Sequence, residues 1–279
     1  MREEMMDSLE TQPSDREQLR DQAICRSVLY GAISLGLHYP TDETLSVLRT
    51  EDSRLALWDA ASFLAATGGA EDARGPSSER APADLVARVQ DWATKFDSLS
   101  LEELLARFEK LFGHTARGTV CPYETEYGQE GLFEQPRQLA TIMGYYQAFG
   151  LTTRTEERER ADHAGCELEF LDFLCRKEAY AIESGDESMG SETRKAQRLF
   201  LKDHLGRFGR AFARMLREQE PDGFFGRLGD LLFAFLTWEY GRLRIEPGAV
   251  VLPLRSAEDD AVPMACGGKE DLIQLGVPR

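Results

Sequence analysis

Apolar residues recur at three- and four-residue spacing along almost the whole chain, and Pro or Gly cuts each run before it grows long. That is the helix period, because 3.6 residues per turn bring positions i, i+3, i+4 and i+7 onto one face. In "RSVLYGAISLGLHYP" the residues Val28, Leu29, Ala32, Ile33, Leu35 and Leu37 cluster in this way, and Pro40 stops the run. "TDETLSVLRT" restarts with Thr41 or Asp42 as a cap and acids in its first turn. "SRLALWDAASFLAAT" runs to Gly68-Gly69. "DLVARVQDWATKF" and "SLEELLARFEKLFG" come next, the second opening with Ser100 and Glu103 at capping-box spacing.

Further on, "PRQLATIMGYYQAFG" has Pro136 at its start and Gly150 past its end. Leu168, Leu171, Cys175, Ala179 and Ile182 form one stripe, widened by Phe170, Phe173 and Leu174. "TRKAQRLFLKDHLGRFGRAFARMLRE" reads as one long helix, and "GFFGRLGDLLFAFLTWEYGRL" as another. Alternation of period two is confined to a short "AVVLPLR". The chain is therefore expected to be all-α, a single-domain bundle of about nine or ten helices. The expected boundaries are a flexible N-terminus at 1–20, a helical domain at 21–246 and a loose tail at 247–279, with loops near 68–84, 114–135 and 184–192.

Charge narrows the partners. The formal net charge is −16, which repels a phosphate backbone and favours basic peptides or a basic protein face. No nucleic-acid partner and no stable membrane insertion are expected, since the longest apolar run, "LLFAFLTW", is far short of the ~20 residues that span a bilayer. The acidic start "MREEMMDSLETQPSDREQ" lacks the apolar core of a secretory signal. Five scattered cysteines without CxxC pairs then suit reduced thiols, and the expected location is the cytoplasm.

Chemistry is sparse. HExxH, GxSxG and phosphate-loop patterns are absent. The glycines of "GRFGRAF" fall inside a helical pattern, where they suit close helix packing. In "ERERADHAGCELEFLDFLC", Glu159 and His163 stand at i,i+4 and His163 and Cys166 at i,i+3. If the helix starts early enough these three share a face, and a metal-dependent helical enzyme is the alternative reading. Exposed acids beside a small buried thiol are the simpler one. Asp162 is the expected N-cap, with Glu167 and Glu169 on other faces. Two readings stand for the loop holding Tyr123, Glu124, Tyr127 and Phe133. Its tyrosines pack on the bundle with wet hydroxyls, or they line an acidic, aromatic patch for a cationic peptide.

Four segments, in order, resemble the TorD/DmsD/NarJ family of molybdoenzyme maturation chaperones. The clearest is Glu159-Arg160-Ala161-Asp162-His163 followed by Glu167-Leu168-Glu169-Phe170-Leu171, against a family pattern of roughly E-x-P-D-H, three residues, then E-L-E-F-M. "LEELLARFEKLFG" leading to "CPYETEYG" is the second, "RLFLKDHLGRFGRAFARML" the third and "RSVLYGAISLGLHYPTDETL" the fourth. Ala161 replaces the family's proline. The resemblance implies an all-helical protein with no catalytic centre and no cofactor of its own. It implies binding of the signal or N-terminal region of a molybdopterin oxidoreductase's catalytic subunit, assisting its folding, cofactor insertion and twin-arginine targeting. Carried onto this chain, the contact residues are Glu159, Asp162, His163, Tyr123, Glu124 and Tyr127. Replacing Asp162 or His163 by Ala is then expected to weaken client binding with little change in thermal stability.

Overall fold

The computed structural model describes residues 13–67, 85–113, 118–128, 134–152 and 159–255. Ten α-helices occur among the described residues: α1 Pro13–Leu37, α2 Asp42–Arg49, α3 Glu51–Thr67, α4 Leu85–Ala93, α5 Leu101–Phe112, α6 Glu134–Ala148, α7 Ala164–Ser184, α8 Glu187–Asp203, α9 Leu205–Gln219 and α10 Phe224–Leu243. One 3-10 turn, Glu124–Glu126, sits between α5 and α6. The described residues contain no strand, and "AVVLPLR" supplies only an isolated antiparallel bridge between Leu254 and Tyr127. The all-α expectation holds.

Helix ends follow local chemistry. Thr41 caps α2 reciprocally with Thr44, and Ser100 caps α5 reciprocally with Glu103. Gly185, at φ 72°, closes α7 in the left-handed conformation that costs glycine least. Asp186 then caps α8 by accepting from the Met189 amide at 2.9 Å. The loop expected near 184–192 is thus reduced to Gly185 and Asp186, because a C-cap glycine and an N-cap aspartate adjoin. The expected long helix from Thr193 is broken at His204, whose φ −124° and ψ −103° are not helical.

α7 is the axis of the bundle. It packs along α1 and against α8, while α9 packs along α10. α10 is apolar nearly all round and buried nearly all round, with Phe225, Leu228, Leu231, Leu232, Phe235 and Leu236 fully enclosed. Between these helices lies a buried polar network. Arg26 of α1 donates to Glu239 at 2.5 Å, to Glu178 at 3.0 Å and to Gln197 at 2.8 Å. Arg242 meets Glu239 from the rim at 2.9 Å. Arg194 approaches Glu178 at 4.0 Å from the exposed side, so both buried carboxylates are compensated, which is what lets charges stay in an apolar core.

Both termini depart from expectation. Helix α1 begins at Pro13, so part of the span 1–20 read as flexible is helical. Residues 251–255 are fastened to the body: the Pro253 carbonyl accepts from the Gly128 amide and the Arg255 amide donates to the Glu126 carbonyl, each at 2.9 Å. The expected 68–84 loop, Phe133 and most of the tail lie outside the described residues.

Candidate functional site

Two short segments meet over the start of α7. Residues 118–128 run beside residues 159–163: the Glu124 amide donates to the Asp162 carbonyl at 2.9 Å, and the Ala164 amide to the Pro122 carbonyl at 2.8 Å. Tyr123 and His163 form an isolated antiparallel bridge there. These main-chain bonds join two of the recognised sequence segments, which lie more than thirty residues apart.

Asp162 is fully buried, and its carboxylate is saturated. It accepts from the Thr125 amide at 3.2 Å and hydroxyl at 2.8 Å, and from Arg160 at 3.0 and 2.9 Å. Arg160 also reaches Glu126 at 3.2 Å and lies over the Tyr123 ring, 4.6 Å from its centroid. Asp162 therefore is not the N-cap of α7. His163 takes that position, with Nδ1 accepting from the Gly165 amide at 3.0 Å. That bond puts the imidazole proton on Nε2, which faces Glu159 at 4.0 Å. Burial, with His38 and Arg160 nearby, pushes the His163 pKa down to about 3, so the ring is neutral at physiological pH. Ala161 is held without the family's proline, its carbonyl accepting from the Tyr146 hydroxyl at 2.8 Å.

Behind this layer lies an acid pair. Glu124 and Glu167 are both buried. His204 Nδ1 lies 3.1 Å from Glu124 Oε2, and Arg207 Nη2 lies 3.2 Å from Glu124 Oε1. Burial, the adjacent Glu124 carboxyl and Asp162 hold the Glu167 pKa well above the usual carboxylate range. No side-chain donor reaches either Glu167 carboxyl oxygen among the described residues, which favours the uncharged acid over the carboxylate. His204 leaves helical geometry to make this contact, which accounts for the break between α8 and α9.

Four of the six expected contact residues are closed off from solvent. Glu124, Tyr127, Asp162 and His163 are all buried, Tyr127 donating to the Cys121 carbonyl at 2.7 Å. Only Tyr123 and Glu159 remain at the rim, joined by a 3.4 Å hydrogen bond from the tyrosine hydroxyl. The burial of Asp162 and His163 argues against the expectation that their removal changes thermal stability little. The metal reading fails on geometry as well. Helix α7 begins after His163, so Glu159 and His163 do not share a helix face. Among the described residues no group of three His, Cys, Asp or Glu side chains could hold a metal ion. Sequence reasoning missed Thr125, Glu126, Arg160, Glu167, His204 and Arg207 as members of the network. All six lie inside the segments that carry the family resemblance, and that is the available signal.

The chain matches the family model described as "Nitrate reductase delta subunit" over residues 78–214. It is 32% identical over 135 residues to "Chaperone protein TorD" of Photobacterium profundum, covering 48% of this chain and 60% of that relative. It is 31% identical over 145 residues to the "Selenate reductase assembly chaperone protein" of Thauera selenatis, covering 50% of this chain and 68% of the relative. It is also 37% identical over 103 residues to the "Perchlorate reductase assembly chaperone protein" of Dechloromonas aromatica, covering 35% and 44%. The chain thus spans between 44% and 68% of the length of these curated relatives.

Proposed function

The chain belongs to the TorD/NarJ family of maturation chaperones, and from that premise we propose that it binds the catalytic subunit of a DMSO reductase-family molybdoenzyme and turns over no substrate. The bound region is the signal or N-terminal segment of the subunit. Binding keeps the subunit competent for folding and molybdenum-cofactor insertion and, where it is exported, for twin-arginine targeting. The chaperone works in the cytoplasm and needs no cofactor. The observation that carries this reading is the convergence of three recognised segments: Glu124, Asp162, His163, Glu167 and His204 knit into one network at the mouth of α7. Such a network sets the relative positions of α6, α7 and α9. Of the expected contacts, Tyr123 and Glu159 form the accessible rim, and the buried four hold that rim in place.

Affinity capture of the tagged protein from its native host, with mass spectrometry, tests the reading. A large molybdopterin-binding subunit is the expected co-purifying protein. Repeated capture without any such subunit overturns it.

A further inference from the structure

A client needs accessible surface, and the network around Asp162 offers little. Exposed apolar side chains are carried by α1, α2 and α3, three helices that pack on one another. On α3, Leu55 is 55% exposed and Trp58 44% exposed, three residues apart and so on one face. Ile24 of α1 and Val47 of α2 are nearly as exposed, at 46% and 45%. Helical spacing places Glu51, Asp52 and Asp59 on the same outward side of α3, and all three are exposed. No ion pair engages them among the described residues. The basic side chains nearest in sequence are committed elsewhere, Arg49 to the carbonyls of Phe96 and Leu99 and Arg54 to Asp97. Asp59 acts on the Cys25 thiol, so the acidic edge of α3 reaches α1, where Asp21 is already paired with Arg20 at 2.8 Å.

An apolar ridge edged by uncompensated carboxylates fits a segment with apolar residues flanked by Arg or Lys. Apposing this face to its own copy would set carboxylate against carboxylate, and a chain at −16 is repelled by anionic lipid. We propose that the outward face of α2 and α3, with the adjoining edge of α1, docks a basic, apolar-ridged segment of the client subunit. This rests on the chaperone reading and gives it a second surface, made of residues outside the network around Asp162.

Three proteins test it: the wild type, a charge-reversed face (Glu51→Lys, Asp52→Lys, Asp59→Lys), and a control with three exposed acids reversed elsewhere (Glu183→Lys, Glu187→Lys, Glu192→Lys). A fourth, Leu55→Ser with Trp58→Ser, removes the ridge. All these positions are solvent-facing, and circular dichroism verifies the fold. Each protein is used to capture the catalytic subunit from the host, then titrated with a synthetic peptide of that subunit's N-terminal segment. Affinity of all four proteins is read by titration calorimetry, and in the three that keep Trp58 its emission reports directly, because Trp92 and Trp238 are buried. The face and ridge variants are expected to bind at least tenfold more weakly, the control as wild type, and the peptide to shield Trp58 from acrylamide. Equal binding by wild type and both face variants overturns the docking surface and leaves the chaperone reading standing. Failure of the wild type to capture any such subunit overturns the chaperone reading itself. Wild-type dimerisation lost in the face variants, by light scattering, assigns the face to a second copy and overturns the proposal.

Discussion

Removing the Asp162 carboxylate takes one acceptor from the Thr125 amide, the Thr125 hydroxyl and the Arg160 guanidinium together. The Thr125 amide and hydroxyl are left buried without this acceptor, while Arg160 is partly exposed and keeps Glu126. Asp162→Ala is expected to lose about 1–3 kcal/mol in urea unfolding. Glu167 gives the opposite sign. Its carboxyl holds its proton to higher pH in the folded state than in the unfolded one. Between those pH values the folded state holds the extra proton, so stability falls as pH rises through that window. Glu167→Gln removes the ionisable carboxyl. It is expected to raise the melting temperature more at alkaline than at acidic pH, read by scanning calorimetry. The sequence marked this region as special without revealing its role. Asp162 and Thr125 lie far apart in the chain, and no periodicity encodes a polar contact between two irregular segments.

Helices were more legible than the breaks between them. The capping boxes at Thr41 and Ser100 are local chemistry, written within four residues, and the Ser100 box was read directly. His204 was missed, since it is no helix breaker and departs only to reach Glu124. The "GRFGRAF" glycines do serve packing. A Cβ on Gly206 would lie 2.0 Å from the Leu201 carbonyl oxygen and 3.0 Å from the Tyr240 ring of α10. The first contact is backbone and cannot swing away. Gly206→Ala is expected to cost about 1–3 kcal/mol and to loosen α9 from α10. Hydrogen exchange should show that loosening as faster exchange in both helices, against an unchanged α2.

Across the whole molecule, Arg26 joins α1 to α7, α8 and α10 through three side chains. Arg26→Met leaves Glu178 and Glu239 buried with less positive charge, and is expected to cost about 3–5 kcal/mol. Replacing Glu178 and Glu239 by Gln in the same protein should restore part of that loss, which a double-mutant comparison of unfolding midpoints measures. No composition argument predicted an arginine in this core, because charged residues are almost never fully buried without partners and those partners sit over 150 residues away in sequence.

The fastening of residues 253–255 to Gly128 and Glu126 has a temporal corollary. A nascent chain cannot make those bonds until position 255 has cleared the ribosome, and α1 must likewise wait for α7. The order of synthesis therefore leaves the far end of the loop that carries Glu124 among the last parts to be latched, and a polypeptide cut short before Pro253 would emerge with the Gly128 end unclasped and its Asp162 end still held.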